Sequence, residues 1–303
     1  MARTDDIALL QSCINNRLDR TAIAKKRVVG IVGDSPSRYA KSPPIWNAVF
    51  HALKMDAVYL PFDVDESRLP DLVRALKESD RFLGANVTVP YKIKIMKYLD
   101  ELDEKARQIQ AVNTIARGED GRLSGYNTDG SGFLESILTA QPGEDRPFVA
   151  SPKGINVLLI GAGGSGRAVA FTMAEALQKG RLWICNRTAD SARALTQEIN
   201  RRHANASAVE ESDIGEWAPK ADLIINCTTK GQGGIRRSSN GQVTVLEPYS
   251  ALAPADPAIF SESDYGKPEF YRDWLRASLS DIEANNQESW QVALSVPLTA
   301  GFC

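Results

Sequence analysis

The feature that most constrains the fold is a glycine-rich turn between an apolar run and a helix-like segment. The run "INVLLIG" ends at Gly161, and helical spacing resumes a few residues later in "AVAFTMAEALQKG". A tight glycine turn between a buried strand and a helix is typical of a parallel sheet covered by helices. Strands and helices alternate in this way over most of the chain. The sequence therefore predicts an α/β protein with a mostly parallel sheet in its first half and a doubly wound sheet in its second.

The alternation predicts individual elements as well as the fold class. In the first half, residues 92–110 have the spacing of one helix that begins near Lys92, directly after a strand. Residues 140–153 are rich in Pro, Gly and charge, and this composition predicts a domain junction.

The chain has 303 residues, which is long enough for two domains, because a single core seldom grows far past about 200 residues. We expect a first domain at residues 1–130, which opens with a peripheral helical extension at 1–26. We expect a second domain at 131–303, with a polar insertion at about 235–285.

The composition excludes several classes of protein. The chain is 43% hydrophobic and 24% charged with a formal net charge of -2, so charge gives no reason to expect nucleic acid or an anionic membrane as a partner. Its four cysteines are scattered without a CxxC pair, which is typical of reduced thiols. No apolar run reaches the ~20 residues that a membrane span needs. We expect a cytoplasmic protein that acts on a small molecule and has no metal centre.

The glycine turn indicates a dinucleotide. Gly161, Gly163, Gly164 and Gly166 lie directly between the strand and the helix, where glycines let a pyrophosphate approach the helix N-terminus. A flexible loop without a ligand is the alternative. The next strand is followed by Arg187, where NAD sites place the Asp or Glu that binds the ribose hydroxyls. A guanidinium suits a phosphate, so NADP is favoured over NAD unless Arg187 is simply solvated.

Three short segments of the first half place amide and hydroxyl groups beside chargeable side chains. They supply Asn86, Thr88 and Lys92, then Asn113 and Thr114, then Asn127, Thr128 and Asp129. One such segment is most simply a satisfied turn, but three together favour a polyhydroxylated ligand, because every ligand hydroxyl needs a donor or an acceptor. A partly desolvated lysine can take the proton of an alcohol that loses a hydride, and a carboxylate can orient the same hydroxyl. The pattern therefore favours hydride transfer.

In order and spacing, these segments resemble the shikimate dehydrogenase family, which includes the quinate/shikimate dehydrogenases. The motifs that carry the resemblance are "NVTVPYK", "AVNT", "GYNTDGSGF", "GAGGSGRA", "NRT" and "INCTTKG". The resemblance implies a substrate domain, a Rossmann domain with a cleft between them, and the reduction of 3-dehydroshikimate to shikimate with NADPH. It implies that Lys92 and Asp129 are the catalytic pair.

The other expected site residues also follow from the resemblance. Those implied to bind the substrate are Ser42, Asn86, Thr88, Asn113 and Thr128. Those implied to hold NADP are Gly161, Gly163, Gly164, Ser165, Gly166, Arg167, Asn186, Arg187, Thr188 and Thr228.

The chain departs from the family pattern in two places. Where the family has two serines that grip the substrate carboxylate, this chain has Ala40 and Ser42, and Ser37, Tyr39 or Lys41 is a candidate replacement for the missing hydroxyl. The family also continues with a strand, a Gly-rich turn and a helix that carries a glutamine. We expect that part to be missing here, so that the second domain is truncated.

These departures leave the substrate and the activity open. We expect a shikimate-dehydrogenase-like paralogue, monomeric or homodimeric, that acts on shikimate, quinate or an amino-substituted analogue. The alternative is a catalytically weak or silent protein that binds the same ligands.

Overall fold

The computed structural model describes residues 6–23, 25–231, 234–237, 243–246, 251–252 and 301–302. The chain divides into two compact units, and the main division falls between Thr128 and Asp129. Most of the expected polar insertion lies outside the described residues. Within the described ranges, no helix is long and apolar enough to cross a membrane.

Helices and strands alternate along both units. The described helices are α1 (Asp6–Cys13), α2 (Arg20–Ile23), α3 (Pro36–Tyr39), α4 (Ser42–Ala52), α5 (Leu69–Glu78), α6 (Glu104–Ile109), α7 (Asp129–Leu138), α8 (Gly164–Leu177), α9 (Ala189–Asn200) and α10 (Ile214–Trp217). The described strands are β1 (Arg27–Gly33), β2 (Ala57–Asp63), β3 (Phe82–Val87), β4 (Glu101–Leu102), β5 (Thr114–Arg117), β6 (Leu123–Tyr126), β7 (Val157–Ile160), β8 (Leu182–Cys185), β9 (Ala206–Val209), β10 (Leu223–Asn226), β11 (Gly234–Arg237), β12 (Val243–Leu246) and β13 (Gly301–Phe302). Short 3₁₀ turns occupy Glu66–Arg68, Lys94–Tyr98, Glu211–Asp213 and Ala218–Lys220.

The first unit contains a six-stranded sheet in the order β2-β1-β3-β5-β6-β4. Strand β1 pairs in parallel with β2 and β3, and β4 pairs in parallel with β6. The pairs β3–β5 and β5–β6 are antiparallel, which makes β5 and β6 a hairpin that turns near Gly121 at φ 85. A mostly parallel sheet is confirmed for this unit. The hairpin lacks a long apolar run, and the sequence did not reveal it.

Apolar side chains cover both faces of this sheet. On one face Phe62, Phe82 and Leu72 are fully buried with helix α5. On the other face Phe50 of helix α4 packs with Tyr59 of strand β2. Burial of one such large side chain contributes about 1.5–3 kcal/mol, so helix α4 and the sheet face beneath it are firmly held.

The prediction that the N-terminal segment is peripheral is wrong. Ile7, Leu10 and Cys13 are buried in the main core of the first unit. After α1, the Asn16 side chain takes the place of a neighbouring strand along the outer edge of β2. Its Nδ2 donates to Pro61 O at 3.0 Å, and its Oδ1 accepts from Asp63 N at 2.8 Å. An edge strand presents unpaired backbone groups, and this segment satisfies part of that edge.

The prediction of a single helix over residues 92–110 is also wrong. The chain forms a 3₁₀ turn, the short strand β4 and then helix α6. The helix is interrupted by pairing with β6, where Asp100 N donates to Leu123 O at 3.0 Å and Asp100 Oδ2 accepts from Leu123 N at 2.8 Å. Asp103 then caps α6 by accepting from Ala106 N. Non-local strand pairing therefore overrides the local helical spacing.

The second unit contains a five-stranded sheet in the order β13-β10-β7-β8-β9. Every described pair in it is parallel, and helices α8 and α9 connect β7 to β8 and β8 to β9. This is the expected doubly wound, Rossmann-type arrangement. Helix α8 ends before Gly180, where an added Cβ would lie 2.0 Å from Ile155 O, so only glycine fits the turn into β8.

Candidate active site

In the first unit the polar residues gather where strands β1 and β3 end. Gly33 closes β1, and a Cβ added there would lie 2.6 Å from Thr88 Cγ2 and 3.2 Å from Val89 O. Thr88 N donates to Val32 O at 2.9 Å, so the pairing with β1 extends past the end of β3. The absence of a side chain at Gly33 therefore lets Thr88 lie against the end of β1.

Lys92 lies in a loop that is fixed on both sides. Tyr91, which is buried, donates its phenolic hydrogen to Val64 O at 2.7 Å. The Lys92 carbonyl accepts from Val112 N at 2.7 Å, which joins this loop to the segment that precedes β5. The Lys92 side chain is half-buried. Its backbone is thus held by non-local contacts, whereas the sequence predicted a helix start.

Asn113 and Thr128 are directly bonded to each other. Asn113 Nδ2 donates to Thr128 Oγ1 at 2.9 Å, and Asn113 Oδ1 accepts from Thr128 N at 3.0 Å. The Asn113 carbonyl also accepts from Val87 N at 2.7 Å, which connects the pair to the end of β3. The neighbouring Asn127 is buried and donates to Ala111 O at 2.9 Å. The segments "AVNT" and "GYNTDGSGF" therefore meet, as their grouping into one site requires.

Asn86 is joined to Tyr59, which is not among the expected site residues. Tyr59 donates its phenolic hydrogen to Asn86 Oδ1 at 2.6 Å. Burial raises the pKa of Tyr59, and the hydroxyl of Ser42, the first residue of α4, opposes that shift. Tyr59 is thus hydrogen-bonded to one expected substrate-binding residue, Asn86, and lies near a second, Ser42. The available signal was a tyrosine in a buried strand, because a buried phenolic hydroxyl requires a hydrogen-bond partner.

Two of the candidates for the missing hydroxyl, Ser37 and Tyr39, already have hydrogen-bond acceptors within the protein. Ser37 donates to Asp63 twice, from its N–H to Oδ1 at 2.8 Å and from its hydroxyl to Oδ2 at 2.5 Å. Its hydroxyl hydrogen is therefore already used. Tyr39 also has acceptors, because its hydroxyl lies 3.4 Å from Asp34 Oδ1 and 3.5 Å from Val89 O. The replacement for the missing hydroxyl therefore stays open between Ser37, Tyr39 and Lys41.

In the second unit the glycine turn joins β7 to α8. Gly161 has φ 109, a left-handed conformation that favours glycine. A Cβ on Gly166 would lie 2.0 Å from Gly161 O, whereas a Cβ on Gly163 would meet nothing within 4 Å. The turn is therefore tight on its inner side and open at Gly163, directly before the first turn of α8 with Gly164 and Ser165. An open backbone at the start of a 14-residue helix fits a bound phosphate group.

The segment after β8 supports the same turn. Asn186 accepts from Ala162 N at 3.0 Å and donates to Thr188 O at 3.0 Å. Its amide therefore ties the glycine turn to the residues that follow β8. Arg187 and Thr188 are exposed there, and an exposed guanidinium beside a glycine turn has the chemistry that suits the additional phosphate of NADP.

Of two other residues expected to hold the cofactor, Thr228 lies at the glycine turn and Arg167 lies in an ion pair. Thr228 lies against the turn, because a Cβ on Gly161 would come within 2.9 Å of Thr228 Cγ2. Arg167 points to helix α9, where its guanidinium pairs with Glu198 at 2.5 Å. The structure thus brings Thr228 to the glycine turn and engages Arg167 in an ion pair between α8 and α9.

Comparisons with known proteins cover both units. Residues 31–115 match the family model of the shikimate dehydrogenase substrate binding domain, and residues 147–247 match that of shikimate / quinate 5-dehydrogenase. The shikimate dehydrogenase (NADP(+)) of Alkaliphilus metalliredigens is 38% identical over 247 residues, which is 80% of each chain. The chain belongs to the shikimate dehydrogenase family. The family resemblance of the sequence motifs is confirmed.

Solved structures of family members agree with this fold. A shikimate dehydrogenase in complex with NADP+ has 37% identity and a TM-score of 0.57, covering 68% of this chain and 67% of that chain. The Thermus thermophilus enzyme, in complex with NADP(H) and shikimate, has 32% identity and a TM-score of 0.55, covering 67% and 69%. In the part of this family member that the structure describes, no group of three or more His, Cys, Asp or Glu side chains could hold a metal ion.

Proposed function

We propose that this protein is an NADP-dependent oxidoreductase that interconverts 3-dehydroshikimate and shikimate or a closely related cyclic polyhydroxy acid. The observation that carries the proposal is the 38% identity to an NADP(+) shikimate dehydrogenase over 80% of the chain. The match includes residues of both units. The local geometry supports it, because the first unit collects amide and hydroxyl groups and the second presents a glycine turn open to a phosphate.

In the first unit we assign the polyhydroxylated ring to the polar residues at the ends of β1 and β3. Asn86, Thr88 and Thr128 supply donors and acceptors for ring hydroxyls, and Ser42 contacts the acid group. Asn113 has both ends of its amide bonded to Thr128, so its main contribution is to orient Thr128. Asn113 thus supports Thr128 in addition to making the ring contact that the family resemblance implies for it.

The proton chemistry is assigned to Lys92 and Asp129. When the alcohol is oxidised, the Lys92 amine takes the hydroxyl proton, and in the reverse direction the ammonium returns it. The Asp129 carboxylate orients the hydroxyl and the ammonium. The backbone of Lys92 is fixed by Tyr91 and Val112, which favours a constant position of the amine.

In the second unit we assign NADP to the glycine turn and to the residues after β8. The backbone of Gly161–Gly166 would hold the pyrophosphate, and Arg187 with Thr188 would hold the additional phosphate. When bound, NADP supplies or accepts the hydride. Asn186 and Thr228 support the glycine turn through the contacts described above. Arg167 supports it indirectly, through the ion pair with Glu198 that joins α8 to α9.

The assay that tests the function is the change in NADPH absorbance with purified protein and 3-dehydroshikimate, and the change in the reverse direction with shikimate or quinate. Turnover of at least one of these acids is the expected result. Comparison of the kcat/KM values for the different acids identifies the preferred substrate. Because Ala40 replaces a serine of the family pattern, that substrate is open between shikimate, quinate and an amino-substituted analogue.

Calorimetric titration separates an enzyme from a silent binding protein. Tight binding of both NADPH and shikimate without turnover would establish the silent protein in place of the enzyme. The relatives described above are dehydrogenases by name, which favours the enzyme. We also infer a cytoplasmic location and a monomer or homodimer, which fractionation and light scattering test directly.

A further inference from the structure

The contact between Tyr59 and Asn86 is short, and it joins two strands that are not neighbours. Tyr59 lies on β2 opposite Val29 of β1, and Asn86 lies on β3 opposite Ile31 of β1. The phenol reaches over β1 to donate to Asn86 Oδ1 at 2.6 Å. Tyr59 is 2% exposed, so water does not compete with this hydrogen bond.

The position of Tyr59 is fixed through its backbone as well as its ring. Asn47 of helix α4 donates from Nδ2 to Tyr59 O and accepts from Tyr59 N, both at 2.9 Å. The ring packs with Ile31 and Phe50. These contacts hold β2, α4 and the Tyr59 ring together, so the position of the phenolic oxygen at the Asn86 amide is fixed.

A fixed donor at Oδ1 has a chemical consequence for Asn86. A side-chain amide carries an acceptor oxygen and a donor nitrogen on opposite sides of one plane. With the oxygen bonded to Tyr59, the amide cannot rotate by half a turn without losing that bond. The half-buried Asn86 then presents its NH₂ group away from Tyr59.

We propose that Tyr59 is a positioning residue that orients Asn86 so that the Asn86 NH₂ group donates to an oxygen of the substrate. This inference rests on the proposed function and refines its substrate class. The ligand group at Asn86 is a hydroxyl, carbonyl or carboxylate oxygen, which accepts a hydrogen bond. An ammonium group has no acceptor, so an analogue with an amino group at this place is excluded by the same orientation.

Burial raises the pKa of the Tyr59 hydroxyl, so the phenol keeps its hydrogen at neutral and mildly alkaline pH. The orientation of Asn86 is therefore constant over the pH range in which the protein is assayed. This supports a permanent structural arrangement of the two residues and not a pH-dependent one.

The test is Tyr59→Phe, which keeps the buried ring and removes only the hydroxyl. Loss of one oriented hydrogen bond to the substrate should raise the shikimate Kd and KM about 5-fold. The KM for NADP and the value of kcat should stay within about twofold. The matched control is Ser79→Ala, which also removes a buried hydroxyl donor from the first unit but contacts none of the proposed site residues, and it should leave the shikimate Kd unchanged.

A double-mutant cycle with Asn86→Ala isolates the coupling. If Tyr59 acts through Asn86, Tyr59→Phe will have no further effect on the shikimate Kd once Asn86 is alanine. Equal effects of Tyr59→Phe in both backgrounds would overturn the inference, and so would a Tyr59→Phe variant with the wild-type Kd. An equal rise in the KM for NADP would overturn it too, because that result indicates a general disturbance.

The Kd measurement keeps this inference separate from the proposed function. If the wild-type chain binds shikimate without turnover, the enzyme assignment fails and the Tyr59 test still proceeds by calorimetry. If the wild-type chain turns shikimate over and Tyr59→Phe has the wild-type shikimate Kd, the enzyme assignment stands and only the proposed role of Tyr59 is wrong.

Discussion

Asn113 and Thr128 are joined through both ends of one amide: Asn113 Nδ2 lies 2.9 Å from Thr128 Oγ1, and Asn113 Oδ1 lies 3.0 Å from Thr128 N and 3.3 Å from Thr128 Oγ1. Asn113 is 8% exposed whereas Thr128 is exposed, so the buried amide anchors an exposed side chain. Thr128 directly precedes Asp129 in the chain. The amide of Asn113 therefore fixes the chain at Thr128, which is followed directly by the second proposed site residue, Asp129.

Asn113→Ala is expected to lower kcat/KM about 100-fold, because Thr128 loses the contacts that orient it. The free energy of unfolding should fall by about 0.5–1.5 kcal/mol, because the exposed Thr128 can bond to water instead. Steady-state kinetics and urea denaturation measure the two effects. The control is Asn16→Ala, which removes a similar two-ended amide contact from the outer edge of β2 and should cost stability while kcat/KM stays within about twofold. Equal losses of kcat/KM in both variants would show that Asn113 acts only through stability.

Lys92→Ala is expected to lower kcat by about 10²–10⁴-fold, the usual contribution of one general acid or base. The KM for NADP should change little, because Lys92 lies in the unit that does not carry the glycine turn. Initial-rate kinetics with both substrates measure these values. Lys94→Ala provides the control: Lys94 lies two positions along the chain and pairs with Glu66 at the surface. Full turnover by Lys92→Ala would exclude Lys92 as the catalytic group.

Arg187→Asp is expected to weaken NADP far more than NAD, since a carboxylate repels the additional phosphate and suits free ribose hydroxyls. We expect the Kd for NADP to rise at least about 10-fold and the Kd for NAD to change by less than about threefold. Titration by intrinsic fluorescence or calorimetry gives both constants. Arg181→Asp serves as the control, because Arg181 is exposed at the opposite end of strand β8. If both cofactors lose affinity equally, the phosphate is bound elsewhere.

Asp6→Asn is expected to make the stability of the protein less dependent on acid pH. The hydrogen bond from Arg81, together with that from Ser79, lowers the pKa of Asp6 below its usual 3.8 although burial opposes the shift. A lowered folded-state pKa adds stability above the unfolded-state pKa, and this stability is lost as pH falls through the folded-state pKa. The variant should therefore be about 2 kcal/mol less stable at neutral pH, and the difference should shrink below about pH 4.

Urea denaturation at several pH values measures this difference. The control is Asp71→Asn, which removes an exposed ion pair with Arg74 and should change stability little at any pH. A constant difference between wild type and Asp6→Asn down to acid pH would mean that the Asp6 carboxylate is not the source of the effect.

The sequence by itself determined the fold class and the location of the polar segments. Hydrophobic spacing reports which face of an element is buried, and this is a local property that survives in one chain read alone. The glycine turn was equally clear, because Gly161 and Gly166 are required by a positive φ and a close backbone approach. The motifs around Lys92 and Asp129 are also local runs of sequence, and they were sufficient to identify the family.

The tertiary structure alone decided which side chains contact one another. The pairs Tyr59–Asn86 and Asn113–Thr128 depend on strand order and register, which place residues distant in sequence within hydrogen-bond reach. The same non-local pairing interrupts the helix expected over residues 92–110. It also brings Asn16 to the edge of β2. A hydrogen bond requires a distance and a direction, and neither is encoded in the local spacing of apolar residues.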